Sequence, residues 1–208
     1  MIYMAFDTET GGLNAKQADL LTLFMCILDE DLKVIDELDL KLKPDSGYPR
    51  ADAGALRVNK IDLVAHMANP ETLTYSEAKV KVREFLKKHH KKIGRYNNLR
   101  PLGYNVDFDI RFVQEHVLPE NEWNEFLHYG KIDPKGYVDL FKDAGWWPKD
   151  VGTLESVVEL LGIPKRNAHN AKEDTLMTVD AYKKMIELLK SKKENGSSQD
   201  LLSLLEAE

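Results

Sequence analysis

Three short segments of this chain carry acids and a histidine at spacings suited to metal-assisted chemistry, and the first is Asp7-Thr8-Glu9. It closes an apolar run, Ile2-Tyr3-Met4-Ala5-Phe6, of the kind that forms a central strand covered on both faces. Side chains alternate along a strand, so Asp7 and Glu9 project to one side and Thr8 to the other. Two carboxylates side by side at the end of a buried strand repel one another and are costly to desolvate. A divalent cation between them removes both penalties. Mg²⁺ and Mn²⁺ favour carboxylate oxygen and commonly hold substrate phosphates with the rest of their coordination shell. Without such an ion, the pair is two solvated acids at a strand end.

The second segment is Asn105-Val106-Asp107-Phe108-Asp109. Asn105 is read as the cap of a helix running to about Val117. Asp107 lies one turn before Arg111, a spacing typical of ion pairs on exposed helix faces. Asp109 lies beside Phe112 and Val113, nearer the core, and is the better site candidate. The third segment is His169-Asn170-Ala171-Lys172-Glu173-Asp174. Asn170 and Glu173 have capping-box spacing, which starts a helix just after Asn170. His169 then sits on the preceding loop, Asp174 falls in the first turns, and the small Ala171 permits close approach. An imidazole that titrates near neutrality, beside a metal-binding carboxylate, suits the activation of water.

The elements that must bring these segments together are partly legible. Leu20 to Leu28 is a second apolar strand, and Val34 to Leu42 alternates like an outer one. Short connections favour an antiparallel meander of the first three strands. Ala51 to Ala68 reads as one or two short helices with Leu56, Ile61, Leu63 and Val64 available to pack. A better helix opens near Ser76, with Ala78, Val82, Phe85 and Leu86 as its apolar stripe. Arg100 to Tyr104 reads as a strand, Gly136 to Phe141 as a strand or short helix, and Leu154 to Leu161 as a helix stopped by Gly162 and Pro164. A long helix runs from Ala171 to about Lys190, followed by a polar linker from Ser191 to Ser198. This order describes an α/β domain with a mixed sheet flanked by helices.

With 208 residues and 43% hydrophobic content, the chain can build one sizeable core. Its formal charge of −6 lacks the basic footprint of a tight duplex-DNA binder, although acids grouped around metals count as negative here. Cys26 is the single cysteine, which excludes an internal disulfide and a cysteine-based zinc cluster. No signal peptide or membrane-spanning run is evident, and the expected location is the cytoplasm, with no membrane partner.

Taken together, the three segments resemble one family. Asp7-Thr8-Glu9, followed by Thr10-Gly11-Gly12-Leu13, is similar to the first motif of the DnaQ-like 3′–5′ exonucleases. Asn105-x-x-Phe108-Asp109 resembles the second, and His169-x-Ala171-x-x-Asp174 the third in its histidine-containing form, DEDDh. Leu154-Glu155-Ser156-Val157 and Leu161-Gly162-Ile163 are similar to the stretch that precedes the third motif. The resemblance covers roughly residues 1–190 as one exonuclease domain and leaves 191–208 as a flexible tail.

It implies a ribonuclease H-like fold, with the first three strands antiparallel and later strands parallel to the first. It also implies two divalent cations, Mg²⁺ or Mn²⁺: one held by Asp7, Glu9 and Asp174, the other by Asp7 and Asp109. His169 would be the general base, and the product a nucleoside 5′-monophosphate. Two such cations stabilise the entering and leaving oxygens of an in-line displacement. Thr8, Thr10, Leu13, Asn105 and Phe108 are the expected substrate contacts, Leu13 as an apolar wedge against the terminal base. One departure is that Asn59-Lys60 stands where many relatives carry His-Gly, which puts the contacts of that loop in doubt.

The expected partner is single-stranded DNA or a frayed 3′ end, in a proofreading or repair setting. RNA is the alternative substrate, since only contacts at the 2′ position separate the two. A non-catalytic adapter on the same fold is the third alternative. From Lys79 to Arg100 the chain is strongly basic, either a phosphate guide or the solvated face of an amphipathic helix. Tyr48, Tyr75, Tyr104, Trp146 and Trp147 are aromatics that could stack on unpaired bases. In the tail, Gln199, Leu202, Leu204 and Leu205 resemble short peptides that dock on a sliding clamp, with a DNA polymerase as the other candidate partner.

Overall fold

The computed structural model describes residues 2–166 and 169–195. In chain order the elements are β1 (Ile2–Thr10), β2 (Leu20–Leu28), β3 (Val34–Lys43), α1 (Ala53–Asn59), α2 (Leu63–Ala68) and β4 (Thr72–Thr74). Next come α3 (Tyr75–His89), β5 (Lys92–Ile93), β6 (Tyr96–Asn97), β7 (Leu99–Leu102), α4 (Asp107–His116) and α5 (Glu120–Phe126). The last are α6 (Pro134–Asp143), α7 (Leu154–Leu160) and α8 (Ala171–Asn195). The main sheet has the order β4-β3-β2-β1-β7. β1, β2 and β3 pair antiparallel, and β7 runs parallel to β1, as the ribonuclease H-like reading requires. β4, which pairs parallel to β3 for three residues, has too little sequence to be recognised in advance.

β1 is central because both its faces are covered. Met4 and Phe6 face a core shared with Val82, Leu86, Phe112 and Val113 of α3 and α4. Ala5 faces the other way, with Phe24 and Cys26, toward Ala171 and Val179 of α8. Cys26 is a core residue whose thiol is pushed up to about 12 by burial. The α3 stripe Ala78, Val82, Phe85 and Leu86 is buried as its periodicity predicts. A third cluster joins α6, α7 and α8 through Phe141, Val157, Val158 and Met177. No helix among the described residues is long and apolar enough to cross a membrane.

Several local expectations are corrected. Val64 is 81% exposed rather than packed, since only one side of the two-turn α2 reaches the sheet. Of the two alternatives read for Gly136 to Phe141, the helix is the one formed, started by Asp133 as N-cap and Pro134 in the first turn. α8 continues through Asn195, into the segment read as a linker from Ser191. Gln199, Leu202, Leu204 and Leu205 lie outside the described residues.

The loop after β1 is strapped down by the segment before α1. Gly11 N–H donates to Asp19 O at 2.8 Å, and Asp52 N–H donates to Gly11 O at 2.8 Å. The buried Asp19 carboxylate accepts from the Arg50 amide at 2.6 Å and from its guanidinium at 2.7 Å. A side chain on Gly11 would place its Cβ 2.3 Å from Arg50 O, so only glycine lets the two backbones touch. Gly11→Ala should therefore destabilise the protein by about 1–3 kcal/mol, the range for forced overpacking, as read from denaturant unfolding. Wild-type stability in that variant would mean that the strap gives way at no cost.

Candidate active site

β7 pairs with β1 only as far as Ala5↔Leu102. Past that point Thr8 has no strand neighbour on this side, and its amide donates instead to Asp109 Oδ1 at 3.0 Å. The Thr8 hydroxyl donates to the same oxygen at 2.5 Å. Asp109 thus takes over a ladder position at the end of β7, which is why a carboxylate only 3% exposed can be tolerated there. Its neighbour Asp107 is half-exposed and pairs with Lys131, not with Arg111 as its spacing suggests. Of the two acids, the structure turns Asp109 toward the other candidate residues.

Asp7 and Glu9 project from the opposite face of β1, toward α8. There Asp174, in the first turn of α8, completes a trio with one carboxylate oxygen from each residue within 4.8 Å of the others. The donor set is all carboxylate oxygen and half-buried, which suits a hard divalent cation. Burial raises the Asp7 carboxyl far above its ordinary value, with further contributions from Asp109, Asp174 and Glu9. Burial, then Asp174 and Asp109, push Glu9 up to about 8. Asp174 rises to about 6, chiefly by burial, against the pull of the His169 amide. Asp109 is also raised by burial, although the two Thr8 bonds counteract it. Four acids in one place that all resist ionisation are the electrostatic signature of a site built around positive charge.

His169 lies at the entrance to α8 with a left-handed backbone, φ +64°. Its amide donates to Asp174 Oδ2 at 3.1 Å, and its ring Nε2 lies 4.0 Å from Glu155 Oε1 on α7. Asn170 Oδ1 accepts from the Lys172 and Glu173 amides and caps α8. The reciprocal half of the expected capping box is not formed, because the Glu173 carboxylate pairs with Arg166 instead.

Asn105 does not cap α4 with its side chain. The residue adopts φ +58°, its carbonyl accepts from the Phe108 amide, and its own amide donates to Asp133 Oδ1 at 2.9 Å. Asp133 also accepts from the Val106 amide at 3.2 Å, so one carboxylate ties the start of α4 to the start of α6. Asp133 is not among the residues that spacing singles out, although Asp133-Pro134 is a legible helix start.

Beside Glu9 opens a largely apolar cleft of about 490 Å³, lined by Thr8, Thr10, Leu13, Asn59 and Phe108 among others. Leu13 is 88% exposed at its mouth. The Thr10 hydroxyl donates to Gly12 O, and the Thr8 hydroxyl to Asp109, so neither hydroxyl proton is left for a ligand. Asp52, Gly54, Ala55 and Val58 of the α1 region line the same cleft, and no motif in the sequence points to them. Asn59 is buried and structural, donating to Thr10 O at 3.1 Å, while Lys60 takes the left-handed geometry, φ +58°, that a glycine favours.

Of the aromatics considered for stacking, Tyr75 is buried against Leu20 and the Tyr104 hydroxyl donates to Gly152 O. Trp147 packs in the α6–α8 cluster, and Trp146 and Tyr48 are exposed. The basic run is divided. Lys79 and Arg83 are paired with Glu122, and Lys88 with Asp36, whose strand partner Ile27 lies opposite Met4, near the start of β1 and away from the acids at its end.

No protein-family model matches the chain. An oligoribonuclease of Marinobacter nauticus is 26% identical over 171 residues, covering 81% of this chain and 84% of that protein. Among solved structures, E. coli exonuclease I in complex with a dT13 oligonucleotide superposes with a TM-score of 0.67 at 19% identity. The zinc-bound form of the E. coli enzyme's complex with single-stranded DNA gives 0.71 at 19%. Exonuclease I of Methylocaldum szegediense gives 0.69 at 20%. These matches cover 93%, 93% and 89% of this chain, which in turn spans only 42%, 41% and 40% of the exonuclease I chains.

The raised carboxyls also make a thermodynamic forecast. A carboxyl whose pKa is higher in the folded than in the unfolded chain adds stability that is complete below the ordinary carboxylate range. That contribution is lost as pH climbs through about 6 for Asp174 and about 8 for Glu9. Asp7→Asn should therefore raise the melting temperature of the metal-free protein at pH 8 by at least ~2 °C, and should remove most of the stabilisation that added Mn²⁺ gives the wild type. A lower melting temperature in chelator would show that Asp7 is not under electrostatic strain.

The chain thus shares the ribonuclease H-like fold of these exonuclease I structures, with Asp7, Glu9, Asp109, Asp174 and His169 gathered near one end of β1.

Proposed function

We propose that the chain is a divalent-cation-dependent 3′–5′ exonuclease that releases nucleoside 5′-monophosphates from single-stranded ends. The observation that carries this reading is the convergence of Asp7, Glu9 and Asp174 within 4.8 Å, with His169 bonded to Asp174 and Asp109 held across the strand. In this reading Asp7, Glu9 and Asp174 would hold one cation, and Asp7 with Asp109 a second. The cations would supply positive charge to the oxygens entering and leaving phosphorus. His169 takes the proton of the attacking water, with Glu155 Oε1 4.0 Å from its Nε2. The new bond joins the water oxygen to phosphorus, and the bond broken is that to the 3′ oxygen of the preceding nucleotide. The cleft beside Glu9 would take the terminal nucleoside, with Leu13 and Phe108 against the base and Thr8 and Thr10 along its wall, while Asn105 acts on it only through the start of α4.

Single-stranded DNA is the first substrate proposed, on the likeness to exonuclease I structures that hold oligonucleotides. A specific observation favours a second reading, the hydrolysis of short RNA: the sequence relative is an oligoribonuclease, and the chain covers most of it. Digestion of matched DNA and RNA trinucleotides side by side, with Mn²⁺ present and absent, decides between them. A role in proofreading, with Gln199, Leu202, Leu204 and Leu205 docking on a clamp, rests on sequence alone. Deletion of residues 199–208 should abolish binding to the cognate clamp while hydrolysis continues, and unchanged binding would dispose of the docking role.

Asp109→Ala should nearly abolish hydrolysis, whereas Asp107→Ala should reduce it only a few-fold. Equal losses would contradict the assignment of the buried acid. His169→Ala should lower kcat by about 10²–10⁴-fold, the usual worth of a general base. Full turnover across the pH range in that variant would assign the base elsewhere.

A further inference from the structure

The end of the sheet opposite the acids carries an aromatic and cationic surface with no part in the site described above. In the β5–β6 hairpin, the Arg95 guanidinium lies 4.9 Å over the Tyr96 ring. Tyr96 in turn packs on His128 and Tyr129 at 5.5 and 5.7 Å, and His128 and Tyr129 stack on each other at 4.5 Å. Tyr129 is nonetheless 79% exposed, so one ring face of the stack is bare to solvent. Lys91, Lys92 and Arg95 flank it and are exposed, without side-chain ion pairs among the described residues. Three acids near this end are already paired: Asp36 with Lys88 and His89, Glu122 with Lys79 and Arg83, and Glu125 with Arg83.

One stretch of backbone links this surface to the acid end. Leu99 bridges Leu127 and Leu102 bridges Ile132, both in parallel, so residues 127–132 run alongside β7 from the stacked rings toward Asp133 and Asn105. Leu99 stands opposite Ile2, five positions before Asp7, which puts the rings roughly 17 Å from the acids at the usual strand rise. An exposed aromatic stack flanked by unpaired cations fits one kind of ligand well. Bases of any identity stack on the rings, and the phosphates between them meet the cations.

We propose that Arg95, Tyr96, His128 and Tyr129, with Lys91 and Lys92, form a second contact surface for single-stranded nucleic acid. It engages the strand several nucleotides upstream of the end that enters the cleft. The direction of the strand rests on the exonuclease reading; binding at the rings does not.

Fluorescence anisotropy with a labelled ~16-nucleotide oligothymidylate, in chelator so that no cation links phosphate to the acids, tests the surface directly. Tyr129→Ala should weaken binding about tenfold without lowering the melting temperature. Replacing Lys91, Lys92 and Arg95 together by alanine should flatten the dependence of log K on log salt by about 2, at ~0.7 for each phosphate that is no longer neutralised. Binding of either variant equal to wild type would overturn the proposal. So would weakening in the triple variant alone, with heparin displacing the oligonucleotide equally well from wild type and Tyr129→Ala, because charge without stacking would then explain everything. Wild-type hydrolysis of a trinucleotide is measured in parallel. Its failure would count against the exonuclease reading and leave the binding comparison fully decisive.

Discussion

The burial of four carboxyls, Asp7, Glu9, Asp109 and Asp174, at one strand end, with repulsion added at Asp7 and Glu9, is the constraint around which this fold is arranged. Bringing four carboxyls to one strand end costs stability in the absence of cations, and each is pushed toward its protonated form. The cost is met by the rest of the domain. Two apolar cores on opposite faces of β1 lock that strand in place, and neither has to rearrange to bring the acids together. A loosely packed chain would relieve the crowding by moving the carboxyls apart. Close packing on both sides denies it that escape.

The acids arrive by two different routes, and each route uses an interrupted element. Asp109 reaches the site because β7 stops at Leu102 and leaves the Thr8 amide unclaimed. Asp174 reaches it because α8 begins there, and the left-handed His169 turns the chain so that its amide faces the Asp174 carboxylate. Ends of strands and helices leave backbone donors unpaired, and in this domain side chains of the site itself satisfy them. The same bonds that complete the secondary structure therefore fix the positions of the candidate site's side chains.

How much of this can be read in the residues differs from feature to feature. The strand preceding Asp7, the apolar stripe of α3 and the choice of Asp109 over Asp107 follow from periodicity, because burial imposes a repeat that a sequence preserves. Asn105 reads wrongly as a cap, since a capping asparagine and an asparagine in a left-handed turn look alike without the Asp133 carboxylate that selects the second. β4 is three residues long, too short to carry a repeat. The ring stack of Tyr96, His128 and Tyr129 draws on two segments some thirty positions apart, joined only through a strand bridge. No local pattern records such a meeting.

The brevity of β4 has a consequence for how the molecule behaves in concentrated solution. It covers only Lys41–Lys43 of β3, so the strand from Val34 to Leu40 forms a free sheet margin on which Val34 and Ile35 are exposed. Such a margin invites pairing with the same margin of another copy. Here it is studded with Asp36, Glu37 and Asp39, which would meet their own like charges in any self-pairing. Asp36, held down to about 2 by Lys88 and His89, keeps its charge deep into acid, while burial holds Asp39 above its ordinary range and its charge goes first. On acidification the charges of this guard are therefore lost in order along the margin, Asp39 before Asp36.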